Sequence, residues 1–351
     1  MEAGGTVLQA SVHLRHIIPL DFDSLDYAPQ SDTPHVSGGV ESEDAEHSLP
    51  TIDLDSPLAE ELLVRACESW GMFIVTNHGI PSDVFKGVEE DALRFFSLPK
   101  GGKMKALRAP GGTVGYGMAP LAAILEKFLW HEGFTMIGSP VEQAKQVWPR
   151  DYMRFCVTME EYQKRMKTLS EKILGLILKN YGGLPSFHEC GGPSGVLQLN
   201  SYPECPCPNE MIGLAPHTDT SFITIVHQNN VSGLQLFHEQ HGWISVAPMT
   251  GSLVVNVGDM LHIMSNARFL NALHRATVSR MGHRLSFAYF CGPPADFEVS
   301  PVVKTCCSSG PDQEARYRPV TKREYKGMKN RDLNALSLIK ITQRHESGYK
   351  C

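Results

Sequence analysis

Residues 196–228 read VLQLNSYPECPCPNEMIGLAPHTDTSFITIVHQ. Runs of Val, Leu, Ile, Phe and Thr are broken by Pro, Gly and Asn. The texture continues through LQLFHE, GWISVAP, SLVVNVGDMLHIM, NALHRATVS and LSFAYF. Short strands at roughly eight- to twelve-residue spacing predict an antiparallel sandwich or barrel and not a parallel sheet.

Within that stretch His217 and Asp219 stand at i and i+2. On an extended strand both side chains leave from one face. A carboxylate on an inward face is expensive to bury unless a cation satisfies it, and a metal ion would serve both the carboxylate and the imidazole. The third ligand then comes from another strand, and His274 in NALHRATVS is the best candidate. Two imidazoles and one carboxylate occupy one face of an octahedron and leave three sites open, an arrangement suited to iron(II). Beyond His274, Arg284 and Ser286 repeat the i, i+2 spacing at the start of a strong strand. The guanidinium fork matches a carboxylate and the hydroxyl adds a donor, so a dicarboxylate could be gripped at its far end while its near end chelates the metal. Asn200 and Tyr202, same-face neighbours on the first barrel strand, could add polar contacts. Arg280 competes for the anion but has neither an adjacent strand nor a partner hydroxyl.

These residues carry a resemblance. The set NSYPECP (200–206), His217-Thr-Asp219, His274 and Arg284-Leu-Ser286 resembles the plant 2-oxoglutarate and iron(II)-dependent dioxygenases, as does WGMFIVTNHGIP (70–81) toward the N-terminus. HLRHIIPLDF (13–22), GYG (115–117), EGFT (132–135), GLAPHTDTS (213–221) and LVVNVGDMLHIMSNARF (253–269) are similar to the gibberellin 3-beta-dioxygenases within that family. The resemblance implies a double-stranded β-helix, or jelly roll, with flanking helices. It implies Fe(II), with 2-oxoglutarate and O2 as cosubstrates and ascorbate in support, and hydroxylation of a gibberellin at carbon 3. Oxidation at carbon 1, 2 or 20, or of another plant metabolite, stays open. So does a jelly roll that only binds a small molecule, or a zinc hydrolase using the same three ligands. The segment MAPLAAILEKFLWHEG (118–133) departs from the Arg-Ile-Ser-Ser-Phe-Phe type expected of the closer relatives. The apolar part LAAILEKFLW reads equally as a cover over a ligand or as helix-core packing.

Working outward, LPTIDL (49–54) reads as a strand, 58–70 as a helix, 71–80 as a strand and the residues after Pro81 as a helix, a mixed α/β pattern. A long helix is expected over 159–182, stopped by Gly182-Gly183. Residues 28–48 are polar and acidic and are expected to be a mobile linker. The expected division is an extension at 1–48, an α/β region at 49–190, the catalytic jelly roll at 191–295 and a C-terminal extension at 296–351, in which TKREYKGMKN reads as a surface helix.

Composition sets limits. A net charge of −6 with 42% hydrophobic and 20% charged residues is that of a globular chain with no basic field for nucleic acid and no anionic-membrane patch. Nine cysteines without a Cys-x-x-Cys pair argue against a disulfide framework, and with no signal sequence or membrane span evident they lead to the cytoplasm as the expected location. The expected partner is a small molecule, and a monomer is favoured. Cys205 and Cys207 read as a turn and not as a zinc pair, and GGTVGYG (111–117) as a mobile loop near the pocket mouth. His78 reads as a capping or packing residue, and His227 and His262 as strand residues.

Overall fold

The computed structural model describes residues 18, 19, 22, 48–118, 129–179, 193–303, 314–332 and 334–341. In chain order the elements are β1 (Thr51–Asp53), α1 (Ala59–Ser69), β2 (Met72–Thr76), α2 (Ser82–Phe96), α3 (Lys100–Lys103), β3 (Gly115–Gly117), β4 (Glu132–Met136), α4 (Val141–Val147) and α5 (Tyr152–Leu178). Then come β5 (Ser194–Tyr202), β6 (Leu214–His217), β7 (Ile223–Gln228), β8 (Leu234–His238), β9 (Gly242–Ser245), β10 (Leu253–Val257), α6 (Asp259–Met264), β11 (His274–Ala276) and β12 (Arg284–Gly292). The chain closes with β13 (Glu298–Val299), β14 (Val320–Thr321), α7 (Lys322–Lys329) and α8 (Ala335–Ile339).

Eight strands form the major sheet in the order β1-β2-β10-β7-β12-β5-β4-β3, and four form the minor sheet in the order β6-β11-β8-β9. All pairings are antiparallel except β1 with β2 and a small sheet joins β13 to β14. This is the expected jelly roll, and strands from the N-terminal half, β1 to β4, extend its major sheet at both edges.

Alternation along the central strands divides the inside from the back. On β12, Leu285, Phe287, Tyr289 and Cys291 join the large core shared with α5, whereas Arg284, Ser286, Ala288 and Phe290 line the cavity between the sheets. Adjacent β5 does the same, with Leu197 and Leu199 behind and Val196, Gln198, Asn200 and Tyr202 in front. Helix α5 closes the back of the sheet with Phe155, Met159, Tyr162, Met166, Leu169 and Ile173, all buried. Their spacing of three and four is one helical face. Each such side chain removed from water contributes about 1.5–3 kcal/mol.

Several expectations shift. Helix α5 begins at Tyr152, not 159, because Phe155 and Cys156 continue the same buried stripe; the Gly182-Gly183 stop, the linker at 28–47 and residues 119–128 lie outside the described residues. SLVVNVGDMLHIM is a strand only to Val257, and DMLHIM is helix α6, which places His262 on a helix and not on a strand. All six α6 residues are buried, so no polar face marks the helical period. GYG is strand β3, an edge strand paired with β4. Helix α7 is not purely a surface helix, since Tyr325 and Lys329 are buried. Its start is capped by a side chain: Thr321 Oγ1 accepts from the Glu324 backbone N–H.

Candidate active site

Strand β6 ends at His217, so Asp219 lies in the loop beyond it and the shared-face reading holds only for the strand end. The register between β6 and β11 pairs His274 with His217 but Ala276 with Leu214, an irregularity that gives β6 one extra residue. Pro216 falls within it, where its missing N–H costs no ladder bond. The bulge turns His217 toward His274, with ring centroids 4.3 Å apart. His217 Nε2 is 3.7 Å from Asp219 Oδ1, and ligand atoms of His217, Asp219 and His274 all lie within 4.8 Å of one another. Among the described residues this is the one group of three or more His, Cys, Asp or Glu side chains so disposed.

Local backbone orients both imidazoles. His217 Nδ1 donates to the Ala215 carbonyl at 2.8 Å and His274 Nδ1 to the Ala272 carbonyl at 3.0 Å. Each bond runs to the residue two positions upstream and leaves Nε2 with its lone pair facing the partner ligands, the arrangement metal-bound histidines use. Burial, reinforced by His274, holds the His217 imidazole well below its ordinary range and therefore neutral. Burial alone would raise the Asp219 carboxyl, but His274, His217, Thr224 and Lys329 outweigh it and hold it below the usual range. A neutral His217 beside an ionised Asp219 is the pair of protonation states a divalent cation needs.

The loop carrying Asp219 is fastened from behind. The Asp259 N–H donates to the Asp219 carbonyl at 2.8 Å, and the Met260 N–H to the Ser221 carbonyl at 3.1 Å. The Asp259 side chain accepts from Thr218 Oγ1 at 3.1 Å, Asn271 Nδ2 at 2.8 Å and Tyr325 Oη at 3.1 Å, and is ion-paired with Lys329. Lys329 also donates to the carbonyl and hydroxyl of Thr218, each at 2.7 Å. Thr218 sits between His217 and Asp219, so this buried pair fixes their spacing.

The candidate anion subsite lies on the major sheet. Register places Arg284 opposite Tyr202 and Ser286 opposite Asn200, all four on the cavity face. Arg284 is 3% exposed, lies over the Tyr202 ring at 5.0 Å and donates from Nη2 to Gln228 Oε1 at 2.9 Å. Among the described residues its Nε and Nη1 have no hydrogen-bond partner, and neither does Asp219 Oδ2 nor either amide atom of Asn256, which also lines the cavity. Buried groups left unpaired cost about 1–3 kcal/mol each. A dicarboxylate chelating a cation would satisfy the guanidinium at one end and the carboxylate at the other, so the donor set fits Fe(II) with 2-oxoglutarate. The cavity, about 280 Å3, holds Arg284, Tyr202, Ser286 and Asn200 together with His217, Asp219 and His274.

Sequence reading missed four contributors. Gln228 holds Arg284 from the neighbouring strand. Gly233 makes room for it: a Cβ there would lie 2.9 Å from Arg284 Cδ and 2.8 Å from the Thr277 carbonyl. His131, fully buried, donates from Nε2 to Asn200 Oδ1 at 2.9 Å, and Asn200 Nδ2 reaches Ser286 Oγ at 3.4 Å. Burial pushes the His131 imidazole down to about 4, aided by Arg284 and Arg108 against the Asn200 bond. The fourth is the Asp259–Lys329 pair. Only Gly233, a lone glycine entering a strand, left a local signal.

The other candidates stand elsewhere. Arg280 is exposed and does not line the cavity. His227 faces α2, pairing with Glu89 at 3.0 Å, and His262 bonds the Phe269 carbonyl and Tyr317 behind the sheet. His78 Nδ1 accepts from the Ile80 N–H, as a capping residue does. Cys205 and Cys207 are buried free thiols. Of the glycine-rich loop, Thr113 reaches the cavity.

Residues 193–293 match the 2OG-Fe(II) oxygenase superfamily, and residues 49–154 match the N-terminal region of a non-haem dioxygenase in morphine synthesis. Gibberellin 3-beta-dioxygenase 1 of Pisum sativum is 40% identical over 94% of this chain and 91% of its own length. Gibberellin 3-beta-dioxygenase 1 of Arabidopsis thaliana is 39% identical over 94% and 95%. Among solved structures, JOX2 in complex with 2OG, Fe and JA superposes with a TM-score of 0.71 at 26% identity, covering 84% of this chain and 90% of that one.

Proposed function

The chain belongs to the 2-oxoglutarate- and iron(II)-dependent oxygenase superfamily, and from that premise we propose that it hydroxylates a gibberellin at carbon 3, turning a nineteen-carbon precursor into an active hormone. It is a dioxygenase whose cofactor is Fe(II) and whose cosubstrates are 2-oxoglutarate and O2, acting on a small molecule. The observation that carries the gibberellin reading is identity of about 40%, sustained over 94% of the chain, with proteins of that activity.

In this reading His217, Asp219 and His274 hold the iron, and Arg284 and Ser286, with Tyr202 and Asn200, hold the distal carboxylate of 2-oxoglutarate. When bound, the pair supplies oxidising power: 2-oxoglutarate loses CO2 to become succinate, one oxygen atom of O2 entering succinate and the other the substrate C–H bond. The chain's own part is positional. Ala215 and Ala272 carbonyls keep the imidazoles aimed; Gln228 and the Tyr202 ring keep the guanidinium at one point of the wall. Val196, Val226, Leu234, Ala288 and Phe290 give the cavity apolar surface that excludes water and accommodates a hydrocarbon skeleton.

Free, buried cysteines fit a reducing cytoplasm, and among the described residues no helix is long and apolar enough to cross a membrane. We place the enzyme there, acting as a monomer without nucleic-acid or membrane partners, and with ascorbate supporting turnover. The test is mass analysis of products from a panel of gibberellin precursors supplied with Fe(II), 2-oxoglutarate and ascorbate. A 3-hydroxylated product is expected; oxidation at carbon 1, 2 or 20 instead overturns the position, and no gibberellin turnover overturns the substrate.

A further inference from the structure

The cavity wall carries six cations, Arg108, Arg275, Arg284, Lys322, Lys326 and Lys329, against one carboxylate, Asp219, among the described residues. Four of the six are accounted for. Lys329 is paired with Asp259. Arg284 belongs to the keto-acid subsite. Arg275 donates to Gln235 at 2.7 Å and lies 4.1 Å over the Trp243 ring, and Lys322 reaches Ser194 Oγ at 2.9 Å and the Pro293 carbonyl at 3.2 Å.

Arg108 and Lys326 are left. Among the described residues neither takes part in an ion pair. Arg108 is 6% exposed and donates from Nη2 to a neutral acceptor, the Met118 carbonyl, at 2.6 Å. Its placement is built in: the Arg108 N–H bonds the Tyr116 carbonyl at 2.9 Å, and Gly115, at φ +119°, lies so close beneath that a Cβ would come within 3.0 Å of Arg108 Cα. Lys326 reaches the same cavity from the exposed side of α7. Burial and the nearby Arg108 both depress the Lys326 ammonium, so the two cations repel across the space between them. A buried guanidinium without a counter-ion is costly, and an anion seated between these two groups removes the cost.

We propose that Arg108 and Lys326 form a clamp for the substrate's carboxylate, distinct from the Arg284 subsite, which selects an organic acid over its uncharged ester and sets which C–H bond faces His217, Asp219 and His274. The clamp rests on the gibberellin reading, gibberellins being carboxylic acids. It also gives α7 a role beyond the ion pair of Lys329: successive turns of one helix hold the metal loop and meet the substrate.

The test is steady-state kinetics of the full chain, with Fe(II) and 2-oxoglutarate, on a nineteen-carbon gibberellin lacking the 3-hydroxyl, supplied as free acid and as methyl ester. The wild type is expected to favour the acid by roughly tenfold or more in kcat/KM, the scale of one charge-assisted contact. Arg108→Gln and Lys326→Met should each narrow that ratio toward one, chiefly through KM, while Arg108→Lys retains part of it. Lys326 is exposed, so its variant keeps the fold and the test does not depend on Arg108 alone. No acid preference in the wild type, or one that survives both substitutions, overturns the clamp and leaves gibberellin oxidation standing. Turnover of neither form by the wild type overturns the functional reading and the clamp with it.

Discussion

Lys329→Met is the substitution whose effect can be worked most fully from the structure. Methionine keeps the apolar stem in place but removes the ammonium from Asp259, whose residue is 0% exposed. Breaking a buried ion pair by deleting one partner costs about 3–5 kcal/mol. Asp259 keeps three neutral donors, Thr218, Asn271 and Tyr325, so the loss belongs near the low end, about 3 kcal/mol. A second effect is separable from the first. Thr218 loses two hydrogen bonds of 2.7 Å, and it stands between two proposed ligands, so metal affinity should fall roughly 10- to 100-fold, as when the outer partners of metal ligands are removed. Urea unfolding of the metal-free protein measures the first and anaerobic Fe(II) titration the second. Adding Asp259→Asn should recover part of the stability, since no charge is then stranded, without restoring metal affinity. An unfolding free energy within about 1 kcal/mol of wild type, together with unaltered Fe(II) binding, would refute the claim that this pair braces the metal loop.

Arg284→Lys should raise the 2-oxoglutarate requirement by an amount equivalent to about 1.5–3 kcal/mol, roughly tenfold to somewhat over a hundredfold, measured as the KM for 2-oxoglutarate; an unchanged requirement places the anion elsewhere. Gly233→Ala should act in the same direction through the 2.9 Å approach of its new Cβ to Arg284 Cδ, while Fe(II) affinity in the absence of 2-oxoglutarate stays within about twofold. The depressed His131 imidazole makes stability fall with acidification: between about pH 6.5 and pH 4 the unfolded chain takes up a proton that the folded chain refuses, so stability is lost as pH drops through that window. His131→Gln, which keeps a donor for Asn200, should flatten that part of the pH–stability curve in urea titrations, and an equally steep curve would assign the loss to other groups.

What the sequence made legible follows from range. His217 and Asp219 announce themselves because a carboxylate two residues from an imidazole is costly in an apolar strand, and Arg284 with Ser286 because an arginine opening such a strand needs an anion. The braces did not show, because they lie far along the chain: Lys329 is 70 residues from Asp259, and its position in TKREYKGMKN looks like any solvated helix face. A lysine turned toward a cavity is indistinguishable from one turned toward water until the cavity exists. Backbone carbonyls such as those of Ala215 and Ala272 are equally silent, since every residue has one. DMLHIM was read as strand because a helix buried on all sides shows no period, and GYG as loop because two glycines carry no alternating side chains.

The most direct measurement is anaerobic titration of Fe(II) into the full chain with saturating 2-oxoglutarate, following the visible absorption of the iron–keto-acid chelate. The account predicts a chelate saturating at one iron per chain, abolished by Asp219→Ala and requiring more 2-oxoglutarate in Arg284→Lys. A stoichiometric chelate that survives alanine at His217, Asp219 or His274 would contradict it.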